Sequence, residues 1–203
     1  MVFVTFVLPT IGRPSLLSAV ASLQSQTNPD WNAIVVFDGT RPTDDVQAAL
    51  DADDRFTVEC IAKTGSSASG GTTNRAGAVR NVALDAVASL SDVPKWVAFL
   101  DDDDRLASSY VDALVSGRQD VDVVVFQMRK GAMVLPWDRD VARQTFHKGR
   151  VGISFALNTL ATVAAGTRFS PSRYEDFNLL ASLRDKGATI HLSDAGPQYI
   201  VRP

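Results

Sequence analysis

Cysteine is nearly absent: Cys60 is the only one in 203 residues. No intrachain disulfide can form, and a cysteine-based zinc site is excluded. No apolar run approaches the ~20 residues that span a bilayer. The apolar opening, MVFVTFVLPT, lacks a basic leader and is stopped by Pro9, so it reads as a strand and not as a signal peptide. A large charge imbalance is also missing. The net charge of -3 gives no electrostatic reason to expect nucleic acid or an anionic membrane as partner. Neither the P-loop pattern G-x-x-x-x-G-K-(S/T) nor the dinucleotide pattern G-x-G-x-x-G occurs. These absences fit a reducing compartment, and a cytoplasmic location without a membrane-spanning segment is the expectation.

What is present describes a globular chain. Hydrophobic residues make up 45% and charged residues 21%, and the length suits one domain with a substantial core. Strand-like and helix-like segments alternate from the start. VFVTFVL (2–8) has no polar face, as a strand buried on both sides requires. PSLLSAVASLQSQ (14–26) places Leu16, Leu17, Val20 and Leu23 at helical spacing, with Pro14 suited to a first turn. AIVVFD (33–38) is a second strand, followed by a helix over 43–51 and a strand over 56–62. The stretch 63–75, KTGSSASGGTTNR, is small and polar throughout, as functional or mobile loops are. Beyond it lie a helix (76–90), a strand (95–100), a helix (YVDALVS) and a strand (121–128). Residues 133–140 suggest a turn, 152–166 a strand running into a helix, and 172–187 a helix stopped by Gly187. TIHLSD and QYIVRP read as two short closing strands. Such alternation argues for an α/β domain with a mostly parallel sheet and helices on both faces.

In sheets of that kind ligands bind beyond the carboxyl ends of the strands. Three of those ends carry polar groups: Pro9-Thr10, Asp38-Gly39, and the run Asp101 to Asp104. Four adjacent carboxylates repel one another. They are either a solvated face or a set of hard oxygen ligands for Mg²⁺ or Mn²⁺ shared with substrate phosphates. The run begins where a buried strand ends, which favours the cation. An EF-hand loop starting at Asp101 fails because Leu106 stands where glycine is needed. A haloacid-dehalogenase-type phosphotransferase motif fails because the strand is not the first and Arg105 follows Asp103. SGGTTNR (69–75) is a faint match to a nucleotidyltransferase loop, but it does not follow strand one.

Taken in order, these fragments resemble the family 2 glycosyltransferases, which have the GT-A fold. FVLPTIGRPSLLSAVASLQSQT resembles the family's first strand, Pro-Thr turn and helix; IVVFDGT resembles its second strand and Asp-Gly-Ser ending. AGAVRN resembles the helix with Ala-x-Arg-Asn, VAFLDDDD the strand and D-x-D motif, and GTRFSPSRYEDFNLLASLRDKG the Glu-Asp segment and its helix. The resemblance implies one GT-A domain over 1–203, with a nucleotide-binding half (1–104) and an acceptor and catalytic-base half (105–203). It implies inverting, metal-dependent transfer of a sugar from a nucleotide sugar, most often a UDP-sugar, to an acceptor hydroxyl of a glycan or other molecule. Pro9, Thr10 and Arg13 would meet the nucleoside, and Asp38 the uracil N–H. Arg75 would reach the base or diphosphate. Arg80 is grouped with it, although a structural ion pair beneath the site is an equal alternative. Asp102 would face the ribose, Asp103 would hold Mn²⁺ or Mg²⁺, and Asp101 counts with the nucleotide-binding residues in a supporting place.

The chemistry needs both clusters. Negative charge grows on the leaving diphosphate, and a dication at Asp103 offsets it. The acceptor hydroxyl must lose a proton as it attacks, so a carboxylate base is required. Asp176 fits, with Glu175 as the fallback; the bland alternative is that both only favour a helix N-terminus. Ser108 stands where the family often has proline. Trp137 could stack on a sugar ring, and His147, His191 and Tyr174 could line an acceptor pocket or simply pack. A nucleotidyl- or phosphotransferase on a related sheet, and a GT-A-like domain that binds nucleotide or glycan without turnover, remain the alternatives.

Overall fold

A computed structural model describes residues 2–64 and 76–202. Four strands form its first half: β1 (Val4–Thr10), β2 (Trp31–Asp38), β3 (Phe56–Ile61) and β4 (Trp96–Phe99). All seven residues of β1 are buried, so both faces of the sheet must be covered. α1 (Leu16–Gln24) and α2 (Asp44–Asp51) connect β1 to β2 and β2 to β3, and α3 (Ala76–Ala88) precedes β4.

These strands pair in parallel in the order β3-β2-β1-β4. The first two crossovers run one way along the sheet and the third returns past them. Right-handed crossovers therefore put α1 and α2 on one face and α3 on the other. Aromatic side chains fill the two layers separately. Phe6 meets Trp31 and Tyr110 edge-on at 6.3 and 5.4 Å on one face. Phe99 meets Phe155 and Phe169 at 5.4 and 5.3 Å on the other. The order reverses between β1 and β4, which opens a crevice at their carboxyl ends.

The second half adds β5 (Arg105–Leu106), α4 (Tyr110–Ser116), β6 (Val123–Lys130), β7 (Met133–Leu135) and α5 (Asp138–Ala142). β8 (Phe155–Asn158), α6 (Glu175–Asp185) and β9 (Ile190–Val201) complete it. β8 inserts between β4 and β6, antiparallel to both, while β6 and β9 are parallel. The sheet is thus parallel in its first half and mixed in its second. Burial of Phe155, Ala156 and Leu157 marks β8 as a core strand, but apolar pattern carries no information on direction.

Three expectations change in this half. Residues 133–140 are not just a turn: β7 folds back on β6 as a hairpin, with Lys130 opposite Met133, and α5 follows. The segment after β8 is a single π-helical turn, Thr159–Val163, started by Asn158 accepting from the Ala161 amide at 3.2 Å. The two closing strands are one, because β9 slips register against β6 near Gln127 and continues. Gly196, at φ +77°, allows a bend there that other residues resist.

Candidate active site

The carboxyl ends of β1, β2 and β4 and the start of α3 enclose a cleft of about 380 Å³. Pro9, Thr10, Arg13, Asp38, Asp101, Asp102 and Asp103 all line it, so most of the residues singled out from sequence converge. Arg75 and the loop positions 65–75 lie outside the described residues.

The four aspartates divide their charge among four different surroundings. Asp101 accepts from Arg80 Nη2, and its backbone amide donates to the Tyr199 hydroxyl at 3.1 Å. Asp102 is buried; it accepts from Thr10 Oγ1 at 2.6 Å and from Arg13 Nη1 at 2.9 Å. Asp104 is also buried and accepts from the Arg202 amide at 2.9 Å. Burial pushes its carboxyl up to about 6. Asp103 is the most exposed of the four at 38%, with the same Arg13 Nη1 at 3.3 Å; Asp101 is 34% exposed but is tied to Arg80. Repulsion within the run is therefore relieved in part by protein groups, beside whatever a bound cation would add.

A solvent-facing carboxylate at the cleft that is not held by a buried arginine suits a cation of a particular kind. No cluster of three His, Cys, Asp or Glu side chains able to hold a metal occurs among the described residues, so an all-protein cage is not on offer. Mg²⁺ and Mn²⁺ shared with a diphosphate need only one or two carboxylates, the rest being phosphate oxygens and water. Asp103 fits that role.

Asp38 has a partner of its own. Both of its oxygens are engaged by Thr64, through the backbone amide at 2.5 Å and Oγ1 at 2.9 Å. A carboxylate has about four lone-pair sites, so Asp38 can tie down the chain after β3 and still accept from a base.

Behind the cleft wall lies a buried ionic cluster. Arg80, 2% exposed, donates from Nη1 to Glu175 Oε1 at 2.7 Å and from Nη2 to Asp101, with Asp176 Oδ1 3.7 Å away. Burial opposes its charge, but the carboxylates of Asp101, Asp176 and Glu175 more than compensate and keep the guanidinium protonated. Arg80 is thus not in the cleft; the ion-pair alternative describes its position. Glu175 is buried, and its Oε2 accepts from the Gly77 amide at 3.2 Å. That position anchors α6 to α3 and leaves Glu175 no path to an acceptor. Asp176 is 26% exposed. Burial raises its carboxyl to about 6, with Arg80 opposing and Asp101 adding to the rise. A carboxylate poised there is suited to accept a proton near neutral pH.

Gly77 has a role that the sequence pattern did not signal. A Cβ there would sit 2.6 Å from Glu175 Oε2 and 2.8 Å from the Phe169 Cβ. Gly77→Ala should destabilise the fold by about 1–3 kcal/mol, read as a lower urea midpoint with an unchanged slope. Tyr199 and Arg202 were missed as well. They reach the aspartates from 98 positions away, a distance at which no local motif forms.

The order of strands, the crevice at its reversal and the carboxylates around it define a GT-A α/β protein. Within that class the chain belongs to glycosyl transferase family 2, whose sequence profile matches residues 5–173. Solved structures agree on the fold. S. aureus TarS in complex with UDP-GlcNAc superposes with a TM-score of 0.70 at 15% identity, over 98% of this chain and 58% of that one. The mannosyltransferase PcManGT from Pyrobaculum calidifontis, with GDP-Man and Mn²⁺, gives 0.65 at 16% identity, over 97% and 56%. Glucosyl-3-phosphoglycerate synthase from Mycobacterium tuberculosis, with Mn²⁺, UDP and phosphoglyceric acid, gives 0.63 at 16% identity, over 99% and 71%. The chain spans 58% of the TarS chain in the UDP-GlcNAc complex. No curated protein sequence matches. No helix among the described residues is long and apolar enough to cross a membrane.

Proposed function

We propose that the chain transfers a sugar from a nucleotide sugar, with a UDP-sugar as the donor and a divalent cation as helper, to an acceptor hydroxyl with inversion. The observation that carries this reading is the pairing of an open Asp103 at the cleft with a raised-pKa Asp176 on the far side of the Arg80 cluster. Family membership and neighbours that hold UDP, UDP-GlcNAc or GDP-Man support it.

In this reading the nucleoside lies against Pro9, Thr10, Arg13 and Asp38, and the ribose approaches Asp102. Arg13 faces the diphosphate. Asp103 would hold Mn²⁺ or Mg²⁺, which when bound neutralises charge on the departing diphosphate. Arg80 is a positioning residue: it fixes Asp101 in the cleft wall and stands beside Asp176. Asp176 takes the proton of the acceptor hydroxyl as it attacks the anomeric carbon from the face opposite the leaving group. The sugar–phosphate bond breaks, and UDP leaves with the bonding electrons.

Calorimetry with UDP, GDP and CDP, with and without Mn²⁺, tests the donor half. UDP with metal should bind tightest, and its failure to bind would sink the reading. Binding of UDP with metal but no sugar release or transfer from any of a panel of nucleotide sugars would instead favour a non-catalytic domain. Asp103→Asn should weaken UDP binding in Mn²⁺ by about 10-fold or more, since even outer partners of a metal are worth ~10–100-fold. Binding of UDP without metal should hardly change. Equal loss in both conditions would take the metal away from Asp103.

A further inference from the structure

Beside α6 lies a strip of positive charge that the donor reading does not use. Residues 137–150 carry Arg139, Arg143, Lys148 and Arg150 against two carboxylates, in a chain of net charge -3. Both carboxylates are engaged. Asp140 is buried and takes Arg150 at 3.3 Å, and Asp138 Oδ1 takes the Gln127 amide at 2.9 Å. His147 stands 3.7 Å from the same Asp140. Among the described residues, Arg139, Arg143, Lys148 and Arg173 have no carboxylate within ion-pair distance. Among the described arginines elsewhere, Arg13, Arg55, Arg80, Arg118, Arg168 and Arg184 are ion-paired and Arg41, Arg105, Arg129 and Arg202 are not; the strip differs in gathering several such cations over two neighbouring rings.

Aromatic rings hold these cations in place. The Arg139 and Arg150 guanidinium carbons lie 4.1 and 3.6 Å from the centre of the Trp137 ring. Trp137 therefore seats guanidinium groups on the ring that could have stacked on a sugar. Lys148 Nζ lies 4.0 Å, and the Arg173 guanidinium 5.7 Å, from the centre of Tyr174. Such seating restrains long side chains that would otherwise sample many rotamers. Tyr174 directly precedes Glu175 and Asp176, and Phe146 packs edge-on against Phe177 at 5.9 Å. The strip is thereby fixed to the first turn of α6, next to the proposed base.

A solvated surface would need no such arrangement. Gathering cations without counter-charges is unfavourable until an anion arrives.

We propose that the acceptor is itself anionic: a polyol or sugar with a phosphate or carboxylate near the reacting hydroxyl, the anion being held by Lys148 and Arg173. This rests on the glycosyl-transfer reading and names the acceptor class for it. The strip then both selects the acceptor and sets its hydroxyl beside Asp176.

Tyr174, the ring beneath both cations, offers a readout independent of turnover, because it is 38% exposed while Tyr110 and Tyr199 are buried. Protein labelled with 3-fluorotyrosine is titrated with sorbitol 6-phosphate, gluconate and sorbitol, in UDP and Mn²⁺ and again without them. The two anions should shift the Tyr174 fluorine resonance saturably, at concentrations at least tenfold lower than sorbitol. A response to both anions means that charge alone is read, and a response to the phosphate alone assigns a phosphorylated acceptor. The double variant Lys148→Glu/Arg173→Glu should lose the response while its UDP–Mn²⁺ affinity, measured on the same sample, stays at the wild-type value. Equal binding of sorbitol, or an undiminished anion response in the double variant, would overturn the proposal. Failure of UDP–Mn²⁺ to bind the wild type would instead strike the donor reading, with the nucleotide-free titration still deciding whether the strip takes anions.

Discussion

Asp176→Asn is expected to lower glycosyl transfer by a factor of about 10² or more while leaving UDP–Mn²⁺ affinity unchanged. The amide keeps the shape of the side chain and removes its ability to take a proton. The proposed donor contacts lie at the ends of β1, β2 and β4, on the other side of Arg80, so binding has no reason to follow. The pH profile carries a second signature. Burial places the Asp176 carboxyl near 6, and only its ionised form can act as base. Wild-type transfer should therefore fall about tenfold for each pH unit below that value, and level off above it. The Asn variant should show little of this acid limb. Unchanged turnover in Asp176→Asn, or an acid limb that persists in it, would remove Asp176 from the role.

Arg80→Met should cost about 3–5 kcal/mol of stability, because it leaves buried carboxylates without their cation. Urea unfolding followed by far-UV circular dichroism measures this directly. Glu175 loses its 2.7 Å partner, and Asp101 and Asp176 lose the charge between them. The sign with pH follows. Burial already raises the Glu175 and Asp176 carboxyls, and removing Arg80, which lowers both, raises them further. A carboxyl raised in the folded state binds its proton more tightly there than in the unfolded chain. Stability of the variant is thus greatest in acid and falls as pH rises from the unfolded value through the folded one. The deficit against wild type should shrink toward pH 4–5. A loss below ~1 kcal/mol at neutral pH would mean that the cluster does not hold α3 and α6 together.

The first half of the fold was legible because its signals are local. Apolar runs, helical spacing and polar strand ends placed β1 to β4 and α1 to α3, and strand ends led to the cleft. The second half was less so. Periodicity is blind to strand direction, hence the unforeseen antiparallel β8, and a mid-strand register slip looks like a gap between two strands. At the site, the family resemblance pointed to Asp102, Asp103 and Asp176, but not to the division of labour within DDDD. That division depends on Arg13, Arg80, Tyr199 and the Arg202 amide, which only the fold brings near. For Glu175 and Arg80, burial and their mutual ion pair favour the structural alternative that the sequence left open.

The contacts of β9 with the aspartates also set the order in which the site can be assembled. Residues 4–99 contain the whole parallel half of the sheet and can begin pairing early in synthesis. The Asp101 amide and Asp104 carboxyl meet their partners only when residues 199 and 202 have emerged. At about 5–20 residues per second on the ribosome, that is a delay of roughly 5–20 seconds. During that interval the nascent chain has a sheet but no finished nucleotide cleft. A donor molecule added to a stalled chain ending before Tyr199 should therefore find it less ready to bind than the released protein.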